Sequence, residues 1–229
     1  MFPKGLIVSS QALAGNPMLD TEKLVSMAEA AALGGASALR VNGTEVVSSL
    51  RQRVEIPIIG INKVKDETGR TVITPTFALA KEVIDAGADI VALDATFYPS
   101  SIKEDLKTLI DRIHTETGAL VMADISTAEE AEAAAAAGAD AVSTTLAGYV
   151  PGALHRADEL YTPNYTIIEE IVRKNLSVTL VAEGRFWKPE DVVKAYSLGA
   201  DAVVIGKAIT NPMAITKYFV SEIQRGVKK

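Results

Sequence analysis

A chain of 229 residues with a net charge of −6, no cysteine and two histidines excludes disulfide scaffolds, thiolate nucleophiles and Cys-ligated metals, and argues against nucleic acid as a partner. Its 48% hydrophobic content with only 5% aromatic residues fits a core of Val, Ile, Leu and Ala in one domain spanning residues 1–229. No apolar run approaches the roughly 18 residues of a membrane span, and MFPKGLIVSS turns strand-like too early for a signal peptide, so a cytoplasmic protein away from membranes is expected.

The first apolar run, GLIVSS (5–10), predicts a strand, and a helical stretch follows over 20–33. That helix closes on Gly35-Ala36-Ser37, which leads into ALRV and a second strand over 36–42. The phrase then recurs: Gly87-Ala88-Asp89 before IVALD, Gly138-Ala139-Asp140 before AVSTT, and Gly199-Ala200-Asp201 before AVVIG, with glycines 52, 51 and 61 residues apart. Each phrase ends an alanine-rich amphipathic stretch with Gly just past the last helical turn, then opens a short apolar run. PIIGIN (57–62), ALVMAD (119–124) and SVTLVAEG (177–184) supply the strands between. The strands are thus predicted at 5–10, 36–42, 57–62, 89–94, 119–124, 140–145, 178–183 and 201–206. The helices fall at 20–33, 44–53, 76–86, 101–117, 127–137, 164–174, 189–198 and 212–226, with Thr127 and Pro189 marking two starts. Eight apolar runs alternating with eight helices describe a single-domain (β/α)8 TIM barrel, which places its chemistry at the C-terminal ends of the strands. Two long connections at that end, 63–75 and 146–163, are predicted to be lids or binding loops.

The polar residues that end the strands form a concentrated set: Gln11, Arg40 and Asn42, Lys63, Asp94, Asp124, Thr144 and Thr145, and Glu183. Inward side chains of alternate strands stack in layers. Gln11, Lys63, Asp124 and Glu183 are therefore expected in one layer, with Lys63 facing Glu183 across the mouth. Alone, Asp94 or Asp124 reads as a helix cap and Lys63 as a solvated loop lysine. Together, a Lys and a Glu ending strands of an apolar barrel must satisfy one another or be used. Phosphate is the second signal, since such barrels bind it in the loops after strands seven and eight. There Gly184 and Gly206 allow close backbone approach, Arg185 and Lys207 add charge, and the amides of 207–209 can point at an anion. His114, within a helix, and His155, in a loop, form no metal cluster, so no metal or other cofactor is expected.

The segments SSQAL, ALRVNG, PIIGINK, ITPT, ALDAT, MADIST, STTLAGY, VAEGR and GADAVVIGKAIT follow in order from residue 9 to residue 210. This series resembles the N-acetylmannosamine-6-phosphate 2-epimerases of bacterial sialic acid catabolism. The resemblance implies a cofactor-free barrel that interconverts N-acetylmannosamine 6-phosphate and N-acetylglucosamine 6-phosphate. It assigns catalysis to Lys63 and Glu183 and substrate binding to Gln11, Arg40 and Asp124, beside Thr145 of the TTLAGY segment. The chain departs from the family pattern at Val64, which follows the lysine in place of Arg, at Asn211, which replaces an Arg, and at Ser10, which replaces a Cys. Lys207, four residues before Asn211, is placed to restore the lost charge.

Inverting C2 of a 2-acetamido sugar requires removing the proton alpha to the C1 aldehyde of the open-chain form and returning it on the other face. A lysine serves as base only when neutral, so the ordinary pKa of Lys63 must fall through desolvation or a nearby cation such as Arg40. Two competitors remain on the sequence: a Schiff-base aldolase or lyase using the same lysine, and a non-catalytic sugar-phosphate-binding barrel. The expected partner is a small sugar phosphate, and the expected assembly a homodimer.

Overall fold

Eight parallel strands close into a barrel in the computed structural model, which describes residues 1–150 and 161–227. Around the ring they are β1 (Gly5–Ser10), β2 (Ala38–Asn42), β3 (Ile58–Ile61), β6 (Ile90–Asp94), β7 (Leu120–Asp124), β8 (Ala141–Ser143), β9 (Thr179–Glu183) and β10 (Ala202–Ile205). A two-stranded antiparallel hairpin, β4 (Lys63–Lys65) and β5 (Thr71–Ile73), stands apart from the ring. The helices are α1 (Thr21–Leu33), α2 (Thr44–Arg51), α3 (Phe77–Asp85), α4 (Leu106–Thr117), α5 (Ala128–Ala136), α6 (Tyr165–Arg173), α7 (Pro189–Ser197), α8 (Lys207–Thr210) and α9 (Pro212–Val227).

The repeated Gly-Ala phrase does two jobs. Its glycines have φ between 97° and 111°, left-handed values that favour a residue without Cβ. The alanine amide after each returns to a carbonyl five residues earlier: Ala36 to Ala31, Ala88 to Val83, Ala139 to Ala134 and Ala200 to Ala195. That is the Schellman closure of a helix. The third residue then ties the N-terminal rim of the barrel. Asp89 accepts from the amide of Ile58, Asp140 from Val121 and Asp201 from Leu180, at 2.8 to 3.0 Å. Ser37, in the phrase that lacks Asp, instead donates its hydroxyl to the Leu6 carbonyl. Each phrase thus stops a helix and anchors the neighbouring strand.

Alternation along the strands splits the core in two. Val8, Leu39, Val91, Val121 and Val203 face outward and pack with helix residues such as Val47, Ile110 and Ile171. Ile7, Ala38, Ile59, Ile61, Ala92, Met122, Ala141, Val181 and Val204 fill the interior. Two residues further along, the same parity carries Ser9, Arg40, Lys63, Asp94, Asp124, Ser143 and Glu183 inward at the C-terminal mouth.

Several expected boundaries move, each for a local reason. Residues 63–75 hold the hairpin rather than a plain loop: Asp66 Oδ1 accepts from the Thr68 and Arg70 amides and the Thr68 hydroxyl, closing the turn. The fourth helix begins at Leu106 rather than residue 101, because Asp105 caps it through the Thr108 amide at 2.9 Å. The sixth barrel strand ends at Ser143, and Thr144–Leu146 form a 3-10 turn. Asn211 separates α8 from α9, since Pro212 disfavours helical geometry in the residue before it. Most of the second long connection, with His155, lies outside the described residues. None of the α9 residues is buried, and Phe219, Val220 and Ile223 are exposed. Among the described residues no helix is long and apolar enough to cross a membrane.

Candidate active site

Arg40 organises the mouth. Projecting inward from β2 and only 1% exposed, it donates from Nη2 to Asp124 Oδ2 at 2.5 Å and from Nη1 to Glu183 Oε2. The hydroxyl of Thr145 accepts from Arg40 Nη1 at 3.1 Å and lies 2.6 Å from Asp124 Oδ1 and 2.9 Å from Glu183 Oε2. Ser143 packs its hydroxyl 2.8 Å from that of Thr145. Glu183 is also fixed through its backbone, its amide and carbonyl both meeting the Thr144 hydroxyl at 2.9 Å. Burial works to lower the Arg40 pKa, but the two carboxylates outweigh it and hold the guanidinium above its ordinary value. For Asp124 burial dominates over the attraction of Arg40 and pushes the carboxyl upward.

Lys63 opens the hairpin two residues after β3 ends at Ile61. Its amide donates to Asn42 Oδ1 at 3.0 Å, which pins the start of the hairpin to the end of β2. Its Nζ donates to Gln11 Oε1 at 2.6 Å, and Gln11 is oriented in turn by its Nε2 bond to the Ser9 hydroxyl at 2.8 Å. Desolvation and then the positive field of Arg40 lower the Lys63 pKa to about 8, against the opposing pull of Glu183 and Asp124. A useful share of the amine is therefore neutral near pH 7.

The expected layer of Gln11, Lys63, Asp124 and Glu183 forms as two bonded pairs, Lys63 with Gln11 and Asp124 with Glu183 through Arg40 and Thr145. Strict alternation is broken because Arg40, from the second strand, sits between the carboxylates. Arg40 and Asp124 are 1% and 0% exposed, whereas Glu183 keeps 18%. The first two thus support the site from beneath, and Glu183 is the carboxylate that reaches the opening. Neither Asp94 nor Asp124 caps a helix; Asp94 is held by Arg70 at 2.5 Å and Lys103 at 3.1 Å. Ser9, Ser143, Arg70 and Lys103 were not singled out by the sequence, though Ser9 and Ser143 lie two residues before Gln11 and Thr145 and share their inward parity.

On the opposite rim, Gly184 and Gly206 stand in the loops after β9 and β10. The amides of Ile209 and Thr210 are both taken by the Gly206 carbonyl at 2.9 Å. Of the expected amides, that leaves Lys207 and Ala208 at the start of α8, where a first turn has no intrahelical acceptors. The Ile209 amide is thereby removed from the expected anion cradle. Arg185 turns its Nε to the Thr162 carbonyl at 2.8 Å, and Lys207 is exposed at the rim. His114 bonds Asp140 at 2.8 Å on the far side of the barrel, a structural contact. Among the described residues no group of three or more His, Cys, Asp or Glu could hold a metal ion.

Comparison with known proteins points to one family and the same barrel fold. Residues 24–225 match the family model described as "Putative N-acetylmannosamine-6-phosphate epimerase". A Caldanaerobacter subterraneus protein named "Putative N-acetylmannosamine-6-phosphate 2-epimerase" is 46% identical over 224 residues, covering 96% of this chain and 91% of its own. A Thermosynechococcus vestitus protein of the same name is 46% identical over 206 residues, 90% and 87% of the two chains. The solved N-acetylmannosamine-6-phosphate 2-epimerase of Clostridium perfringens superposes with a TM-score of 0.87 at 39% identity, covering 95% and 92%. With a family match across most of its length, close relatives on both sequence and structure, and a Lys–Gln and Arg–carboxylate mouth in a closed barrel, the chain belongs to the N-acetylmannosamine-6-phosphate epimerase family.

Proposed function

We propose that this protein inverts C2 of N-acetylmannosamine 6-phosphate to give N-acetylglucosamine 6-phosphate, in amino-sugar and sialic acid catabolism. The observation that carries the reading is the lysine of lowered pKa, held by Gln11, in one mouth with the Arg40-bound carboxylate of Glu183. In the open-chain sugar the C2 proton is acidified by the C1 aldehyde. Neutral Lys63 removes it to leave a planar enolate, and Glu183, holding the one proton the pair shares, returns a proton to the other face. In reverse, Glu183 removes the proton and the Lys63 ammonium returns it. Asp124 and Thr145 fix Arg40 and Glu183, while Gln11 orients the amine. No step uses a metal or nucleotide.

The phosphate is assigned to the rim formed by Gly184, Arg185, Gly206 and Lys207, where the first amides of α8 and the Lys207 charge supply donors. Residues 1–229 act as one domain in the cytoplasm. A homodimer is supported by the exposed Phe219, Val220 and Ile223 of α9, together with an apolar groove lined by Leu6, Val8, Met27, Ala30 and Ile209.

The test is interconversion. Supplied with either 2-acetamido sugar phosphate, the enzyme should bring both to one common ratio without added cofactor. Borohydride added during turnover should leave Lys63 unmodified. A covalent adduct on Lys63 would instead support aldolase chemistry, and binding without interconversion would support a non-catalytic barrel.

A further inference from the structure

The β4–β5 hairpin is tied down on the β6 side of the mouth by contacts from its turn. Arg70 Nη2 donates to Asp94 Oδ2 at 2.5 Å, and the Arg70 guanidinium lies 4.7 Å from the Tyr98 ring centroid. Glu67 accepts from the Ser101 hydroxyl at 2.7 Å. Asp94, 0% exposed, already accepts from the amide and hydroxyl of Thr96 and from Lys103. One carboxylate therefore faces two cations, leaving one unit of positive charge in excess. Arg70 spends one nitrogen on the pair. Its Nη1 is shielded from solvent and has no hydrogen-bond partner among the described residues. A guanidinium nitrogen left so is costly unless a bound molecule completes it.

Position decides which part of a substrate that is. Asp94 follows the inward parity of β6 and pairs in register with Asp124 of the catalytic cluster. In the ring order, β6 is four strands away from β10, so it lies across the mouth from the rim assigned to phosphate. An open-chain sugar anchored there by its C6 phosphate and reacting at C2 presents its C1–C2 end to the β6 side. The geometry points to Arg70 as a substrate-binding residue whose free Nη1 donates to the carbonyl oxygen of the 2-acetamido group. The inference rests on the proposed epimerase reading and adds a recognition residue to it.

Arg70→Met and Arg70→Lys separate recognition from support of the hairpin. Lysine can keep the ion pair with Asp94 but offers no second nitrogen. Both variants should raise KM for N-acetylmannosamine 6-phosphate roughly 10–150-fold, the range of a hydrogen bond from a charged group, with kcat changed far less. Arg70→Lys should retain the wild-type Tm and the wild-type pH profile. The inhibition constant of mannose 6-phosphate, which lacks the acetamido group, should be unchanged in both. Unchanged KM overturns the assignment, as does weakening of mannose 6-phosphate by the same factor. Full recovery by Arg70→Lys also overturns it, since that is the mark of a purely structural latch. Wild-type enzyme is assayed in parallel: its failure to turn over the acetamido sugar would count against the epimerase reading itself.

Discussion

Replacing Lys63 with methionine should abolish turnover and raise stability at the same time. The Lys63 pKa falls from 10.5 to about 8 on folding, so the charged form is disfavoured in the folded protein. At about 1.4 kcal/mol for each tenfold change, the full penalty near pH 7 is about 3 kcal/mol. Access to solvent at the mouth roughly halves it, and loss of the Gln11 bond removes about 1 kcal/mol more. A net gain of about 0.5 kcal/mol remains, equivalent to a Tm rise of about 1–2 °C for a chain of this size. The sign follows from the depressed pKa: the penalty is full below pH 8, shrinks between pH 8 and 10.5, and is absent above. The gain over wild type should therefore shrink as pH rises through that window. Loss of the base should lower kcat/KM by about 10²–10⁴-fold. Calorimetry at pH 7 and pH 10, with an activity assay on the same preparations, checks both halves. A variant that melts below wild type at pH 7, or whose advantage does not narrow with pH, refutes the desolvated-lysine argument.

The alkaline limb of kcat/KM should lie near pH 8 in both directions, because the Lys63–Glu183 pair works with one shared proton and loses it as Lys63 titrates. The rate should therefore fall nearly tenfold between pH 7 and pH 9, and a profile that rises over that range would contradict the two-base scheme. Arg40→Met strands two carboxylates, one of them fully buried, and should cost about 3–5 kcal/mol, visible as a large fall in Tm and in soluble yield. Asp140→Ala removes the acceptor of the Val121 amide at the N-terminal rim; it should cost about 1–2 kcal/mol in denaturant unfolding and leave kcat/KM unchanged. Lys207→Ala should raise KM roughly 10–150-fold with little change in kcat, and Asn211→Arg in that background should restore part of the affinity. An unchanged KM would leave the phosphate to the α8 amides and Arg185.

Much of this was legible because each Gly-Ala phrase is a physical device. The glycine stops a helix and the Asp or Ser holds a strand end, so the repeat and the barrel are one fact. The site was legible where parity ran on from an apolar strand, as at Glu183 two residues after Val181. It was less so where side chains from different elements meet. An arginine inside ALRV signalled Arg40, but not that it would be buried between two carboxylates. The hairpin was hidden because three-residue strands carry no periodicity, although KVK and TVI flank a turn that holds Asp66 and Gly69. Arg70 lay beyond reach for the same reason: only the turn geometry brings it back to Asp94.

The central claim is proton transfer at C2 by Lys63 and Glu183. Proton NMR of N-acetylmannosamine 6-phosphate incubated with the enzyme in D₂O tests it most directly. Solvent deuterium should replace the C2 hydrogen as N-acetylglucosamine 6-phosphate forms, and exchange should vanish in Lys63→Met. Epimerisation that retains the original C2 hydrogen, or exchange undiminished in Lys63→Met, would contradict the account.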